Sequence, residues 1–189
     1  MGGGASGSTD AGWRERLEVS VQLVRRWEPL LRQAPQPAPR SPLAADDRTF
    51  PSLPTSATAW YAITSALDHL SFGADALTAE GVIVRRPHAF HSLMRSALMG
   101  ASQAVWVLSG DSAQRAARSL QVVADESKYQ SGYLRSLADD QRIMASVSEG
   151  YPEKIREDLA ALAVRRKTVL AELRKRGIKG EFNTTRMIR

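Results

Sequence analysis

The stretch PHAFHSLMRSALMGASQAVWVL, Pro87 to Leu108, decides how this chain folds. Pro87 suits a first helical turn, where its missing N–H would have had no intrahelical partner. Ser109-Gly110-Asp111 breaks the pattern about six turns later. Apolar or small residues cover most of the circumference between these points, which predicts the buried central helix of an all-helical bundle. Ala97, Gly100, Ala101 and Ala104 predict close approach by a neighbouring helix, and Trp106 is expected to fill a large core volume. Arg95 is the only Lys, Arg, Asp or Glu in the stretch. An unpaired buried cation is costly, so either the bundle is open on that side or Arg95 forms a buried ion pair with Asp68, or with Asp75, of the preceding helix; a structural pair is expected over a ligand contact.

Working outward, Thr55 or Ser56 caps a helix that runs to about Glu80-Gly81. Trp60, Ile63, Leu67, Leu70, Ala74 and Leu77 form its seam at three–four spacing. Upstream lies APQPAPRSP, a proline-rich stretch that predicts an extended spacer continuing irregularly to Pro54. The first helix starts at Asp10 and carries Trp13, Leu17, Val21, Val24, Trp27 and Leu31, with Pro29 disturbing its last turn. Downstream, Asp111 or Ser112 opens a fourth helix with Ala116, Leu120, Val123, Leu134, Leu137, Met144 and Val147 inward. Its polar middle, DESKYQSGY, contains Gly132 and is expected to bend or fray. Gly150-Tyr151-Pro152 resets the chain, and Ile155, Leu159, Leu162, Val169 and Leu173 line a fifth helix ending at Gly177. No segment alternates like a strand and no repeat has a fixed period. The expected fold is all-α, a single bundle of about five helices with a long Pro-rich loop after the first. Its divisions are a flexible N-terminus 1–9, an N-terminal helix 10–33, a linker 34–54, the bundle core 55–180 and a tail 181–189.

A length of 189 residues, 43% hydrophobic and 24% charged, is ordinary for one globular domain. The absence of cysteine excludes disulfides, thiolate zinc sites and cysteine nucleophiles. The Gly/Ser-rich start has no apolar h-region, and no uncharged apolar run reaches membrane-spanning length. A soluble cytoplasmic protein is expected, with no membrane contact. The net charge of +6 and pI near 10.1 favour acidic partners. Nucleic-acid-binding candidates are Arg165, Arg166, Lys167, Arg174, Lys175 and Arg176 on the fifth helix. They spread around that helix with no aromatic between them for base stacking, so a solvated positive face is the expected reading.

Groups suited to catalysis are few. His88 and His91 share one side of a helix, but no nearby carboxylate completes a metal site. Neither a metal nor a cofactor is expected, and no Walker loop, G-x-S-x-G or H-E-x-x-H occurs. Asp46-Asp47 and Asp139-Asp140 read as solvated acidic pairs. Arg86 and His91 fit an R-x4-H spacing in RPHAFH, similar to the signature of HEPN ribonucleases. There Arg would stabilise a phosphorane and His would move a proton.

SALDHL (Ser65 to Leu70), LMRSALMGASQAVWVL (Leu93 to Leu108) and QRAARSL (Gln114 to Leu120) together extend the resemblance. They are similar to an uncharacterised actinobacterial all-helical family that looks distantly HEPN-like. The resemblance implies a helical bundle without a secure activity. Met99 departs from it, standing where members often carry Glu in an R-x-x-x-E arrangement with the residue matching Arg95. The chain also ends at TTRMIR, where a Ser-Gly-x-x-His segment is expected, which implies a C-terminally shortened member. The leading functional expectation is therefore a non-enzymatic protein acting by protein–protein contact or self-association, as a homodimer. The alternatives are a HEPN-like RNA-binding or RNA-cleaving protein and a basic accessory nucleic-acid-binding protein.

Overall fold

The computed structural model describes residues 6–79 and 87–179, and every regular element among them is helical. The elements are α1 (Ser6–Trp27), a 3-10 turn (Glu28–Arg32), α2 (Pro42–Thr49), α3 (Thr55–Thr78), α4 (Pro87–Leu108), α5 (Ser112–Asp139), α6 (Gln141–Ser146) and α7 (Tyr151–Lys175). Arg86, Gly81 and the TTRMIR ending lie outside the described residues. Two features differ from the expected single five-helix bundle. The chain divides into two compact units, residues 1–37 with 59–105 and residues 38–58 with 106–189. Two short helices, α2 and α6, also occupy segments that were expected to be linker and continuous helix.

The first unit holds α1, the 3-10 turn and most of α3 and α4. Pro29 cannot donate to the carbonyl four residues back, so α1 tightens into the 3-10 turn there. Gly100 of α4 lies against α3 so closely that a Cβ would meet the Ala62 carbonyl oxygen at 2.8 Å and the Ala66 nitrogen at 3.0 Å. Ala62, Ala66, Ala97 and Ala104 are buried beside it, which is the small-residue approach that the sequence predicts. Ala101, by contrast, faces outward. The expected buried pair does not form. Arg95 and Asp68 are both exposed, so Arg95 is hydrated and needs no buried partner, while Asp75 pairs with Arg25 of α1. Leu70 is only half-buried, and Trp13 and Trp27 of the α1 stripe stay about half exposed.

The second unit is organised around α5 and α7, which run antiparallel. Leu120, Val123 and Ala124 of α5 pack on Val169 and Leu173 of α7, with Phe50, Leu53, Leu170 and Ile178 around them. Asp111 and Gln114 close a capping box at the start of α5, each side chain accepting from the other's backbone N–H. At the far end of α7, Gly177 takes φ +67°. Its N–H donates to the Arg174 carbonyl at 3.0 Å and that of Ile178 to Leu173 at 2.9 Å. This is a Schellman ending, and it returns Ile178 onto the core beside Leu173. Trp106 is half-buried rather than enclosed; the Arg118 guanidinium stands 5.1 Å from its ring centroid. Its neighbour Val107 is the fully buried side chain. Gly132 does not break α5. The break comes at Asp140, whose carboxylate accepts from the N–H groups of Arg142 and Ile143 and starts α6.

The Asp46-Asp47 pair is not solvated surface. Ser41 caps α2 with Pro42 in its first turn, and this helix carries Asp46 into full burial. Its carboxylate accepts from Ser112 Oγ at 2.5 Å and from Arg115 Nε at 2.6 Å. Arg115 also donates to the Gly110 carbonyl at 2.6 Å. Burial alone would raise the Asp46 pKa, but the hydrogen bonds from Arg115 and Ser112, with the Arg115 charge, hold it below the ordinary carboxylate value. Asp47 accepts from the N–H and hydroxyl of Ser56 at 2.9 and 2.6 Å, so both acids fasten the proline-rich segment to helix starts.

Candidate nucleic-acid interface

Away from the Leu120–Leu173 core, the contact between α5 and α7 opens. The middle of α5 is Asp125-Glu126-Ser127-Lys128-Tyr129-Gln130-Ser131-Gly132-Tyr133, almost without aliphatic side chains. Gly132 and Ala163 both line the space between the helices, and a Cβ at Gly132 would meet nothing within 4 Å. A groove of about 740 Å³ results. From α7, Ala163, Arg166, Lys167, Leu170 and Arg174 line it, spaced as one helical face. From α5 come Lys128, Tyr129, Ser131, Gly132, Tyr133 and Arg135.

Five of these groups are cations and none is acidic. The salt bridges of α7 lie elsewhere on the helix. Lys154 pairs with Asp158 at 2.9 Å, Arg156 with Glu153 at 2.8 Å and Arg176 with Glu172 at 2.6 Å. The Arg176 hydrogen bond also lowers the Glu172 pKa. Thus three of the four acids in α7 are matched by bases that do not line the groove. Clustered like charges beside low-dielectric walls focus a positive potential, and that favours an anion over a neutral ligand.

The six basic candidates are therefore sorted by geometry. Arg166, Lys167 and Arg174 line the groove; Arg165 lines two neighbouring cavities; Lys175 is exposed outside it; Arg176 is taken by Glu172. The absence of aromatics among the α7 cations is true along the chain but not in space. Tyr129 and Tyr133 stand across the groove from them, 68% and 65% exposed. Lys128 lies 6.0 Å from the Tyr129 ring centroid. A Tyr-x3-Tyr step flanked by Lys128 and Arg135 was the available signal. It becomes meaningful only once α5 and α7 are known to run side by side.

Among the described residues, the other sequence candidates are not gathered into a site. His91 is exposed on α4, and Arg86 lies outside the described residues. His69 is half-buried with Nδ1 2.8 Å from the Ser65 carbonyl, a packed histidine. Among the described residues no group of three or more His, Asp or Glu is placed to hold a metal, and no helix is long and apolar enough to cross a membrane. The sequence matches no known protein family, and neither curated proteins nor solved structures give a match.

Proposed function

We propose that this chain is a non-enzymatic accessory protein that holds nucleic acid in the groove between α5 and α7. The observation that carries the reading is the convergence of Lys128, Arg135, Arg166, Lys167 and Arg174 on one concavity with no acid in its lining. Phosphate backbones bind such surfaces mainly through displacement of condensed counterions, which needs several cations held together rather than any catalytic group. The net charge of +6 supports approach to a polyanion from solution. The test is fluorescence anisotropy of a labelled oligonucleotide titrated with the parent protein and with an Arg166→Ala/Lys167→Ala/Arg174→Ala variant. The parent is expected to bind, and the variant to bind weaker by roughly tenfold or more at low salt. Equal affinities would remove the groove from the account.

A second reading, self-association, is favoured by one face of α4. Leu98 and Val105 are 62% and 69% exposed, with Ala101 exposed between them at helical spacing. Apolar surface of this kind is normally covered when it is extensive. Sedimentation of the protein alone separates the readings. A homodimer that Leu98→Lys/Val105→Lys dissolves supports contact through this face, and a monomer of 20.7 kDa opposes it. The ribonuclease alternative rests on the Arg86–His91 spacing, and Arg86 lies outside the described residues.

A further inference from the structure

We infer that the groove selects single-stranded over duplex nucleic acid, with Tyr129 and Tyr133 stacking bases while the α7 cations hold the backbone. The inference rests on the nucleic-acid reading above and adds to it the kind of strand that is taken.

Three observations carry it. Tyr129 and Tyr133 are four residues apart on α5, so they project from one side of the helix about 6 Å apart along its axis. That step is longer than the gap between stacked bases, and it lets two successive bases of an extended strand each take a ring. Both residues are about two-thirds exposed, although a tyrosine normally buries much of its apolar body. Finally, three of the five cations, Arg166, Lys167 and Arg174, are on the other helix, so the backbone can be held across the groove from the rings, while Lys128 and Arg135 flank the tyrosines on α5.

A duplex hides its base faces inside its own stack, whereas a single strand offers every base as a π-face. Phosphate contacts serve either form, so the preference belongs to the tyrosines. Tyr133 also lines an adjoining cavity of about 390 Å³ with Gln130, Leu162 and Arg165. Tyr133 thus borders both concavities. A strand leaving the groove over it meets Arg165, which gives that residue a place in the site. Asp158, the acid of the adjoining cavity, is held by Lys154 at 2.9 Å.

The experiment compares a labelled oligothymidylate with a labelled hairpin duplex of equal phosphate number. Each is titrated with the full-length parent and with the Tyr129→Ala, Tyr133→Ala, Tyr129→Phe and Tyr133→Phe variants. Both tyrosines are exposed, so the variants should keep the parent's helical circular dichroism. The parent is expected to prefer the single strand. Each alanine should weaken that binding about fivefold or more while leaving duplex binding nearly unchanged, and each phenylalanine should retain the parent affinity. Single-strand affinity that is indifferent to both alanines, or a parent preference for duplex, would overturn the inference while leaving the groove as a phosphate site. Failure of the parent to bind either probe would instead remove the nucleic-acid reading itself.

Discussion

Arg115→Ala is expected to destabilise the protein by about 3–5 kcal/mol, because it strands a buried carboxylate. Asp46 has no exposed side-chain surface, and Arg115, 14% exposed, is its only ionic partner among the described residues. Ser112 would remain as a donor but supplies no charge. The sign of the pH dependence follows from the lowered Asp46 pKa. A carboxylate held below its unfolded value stabilises the native state fully above about pH 4, and that contribution is lost as pH falls through the folded value. Urea denaturation of the parent should therefore show a midpoint that drops on the acid side. In Arg115→Ala the midpoint should be low throughout, with less of that acid-side drop. An unchanged midpoint at neutral pH would mean that water reaches Asp46 and that the contact between α2 and α5 contributes little.

Leu173→Ala is expected to cost about 2–5 kcal/mol, since it opens a cavity where the second unit is most tightly closed. Leu173 is 1% exposed and packs among Leu120, Val123, Ala124 and Val169. Ile178 reaches the same place through the Schellman turn, so the truncation also removes the apolar contact that favours that ending. Thermal unfolding followed by circular dichroism measures the loss. A cost below about 1 kcal/mol would indicate that Leu170 or Ile178 collapses into the space, within the low end of what relaxation allows.

Much of the helical layout was legible along the chain because its signals are local. Pro87 and Ser109-Gly110 bound α4 where the structure has it, Thr55 opens α3, and Gly177 marks the end of α7. Gly100 was recognisable because a glycine inside an apolar helix is costly unless something comes close. The parts that were not legible depend on pairing between distant residues. Asp46 meets Ser112 and Arg115 across 66 and 69 positions, and nothing beside it in sequence shows that an acid in a proline-rich stretch will be buried. α2 was hidden for the same reason, its cap and first proline reading equally well as linker. The failure at Gly132 has a different cause. Neighbouring residues of α5 keep its backbone helical there, and the missing side chain opens the groove rather than bending the helix. Trp106 was misplaced because periodicity gives a face but not its depth, and Arg118 takes up the ring at a partly open edge.

The groove shows the same limit at the level of function. Its cations are visible on one segment and its tyrosines on another, and only the antiparallel packing of α5 and α7 turns them into one surface. The salt dependence of oligonucleotide binding, compared between the parent and the Arg166→Ala/Lys167→Ala/Arg174→Ala variant, tests that surface most directly. Each phosphate contact to a single strand contributes about −0.7 to the slope of log affinity against log salt. Three lost contacts should make the variant's slope shallower by about 2. Parallel lines for the two proteins, or an affinity that salt does not change, would contradict the assignment of this groove to nucleic acid.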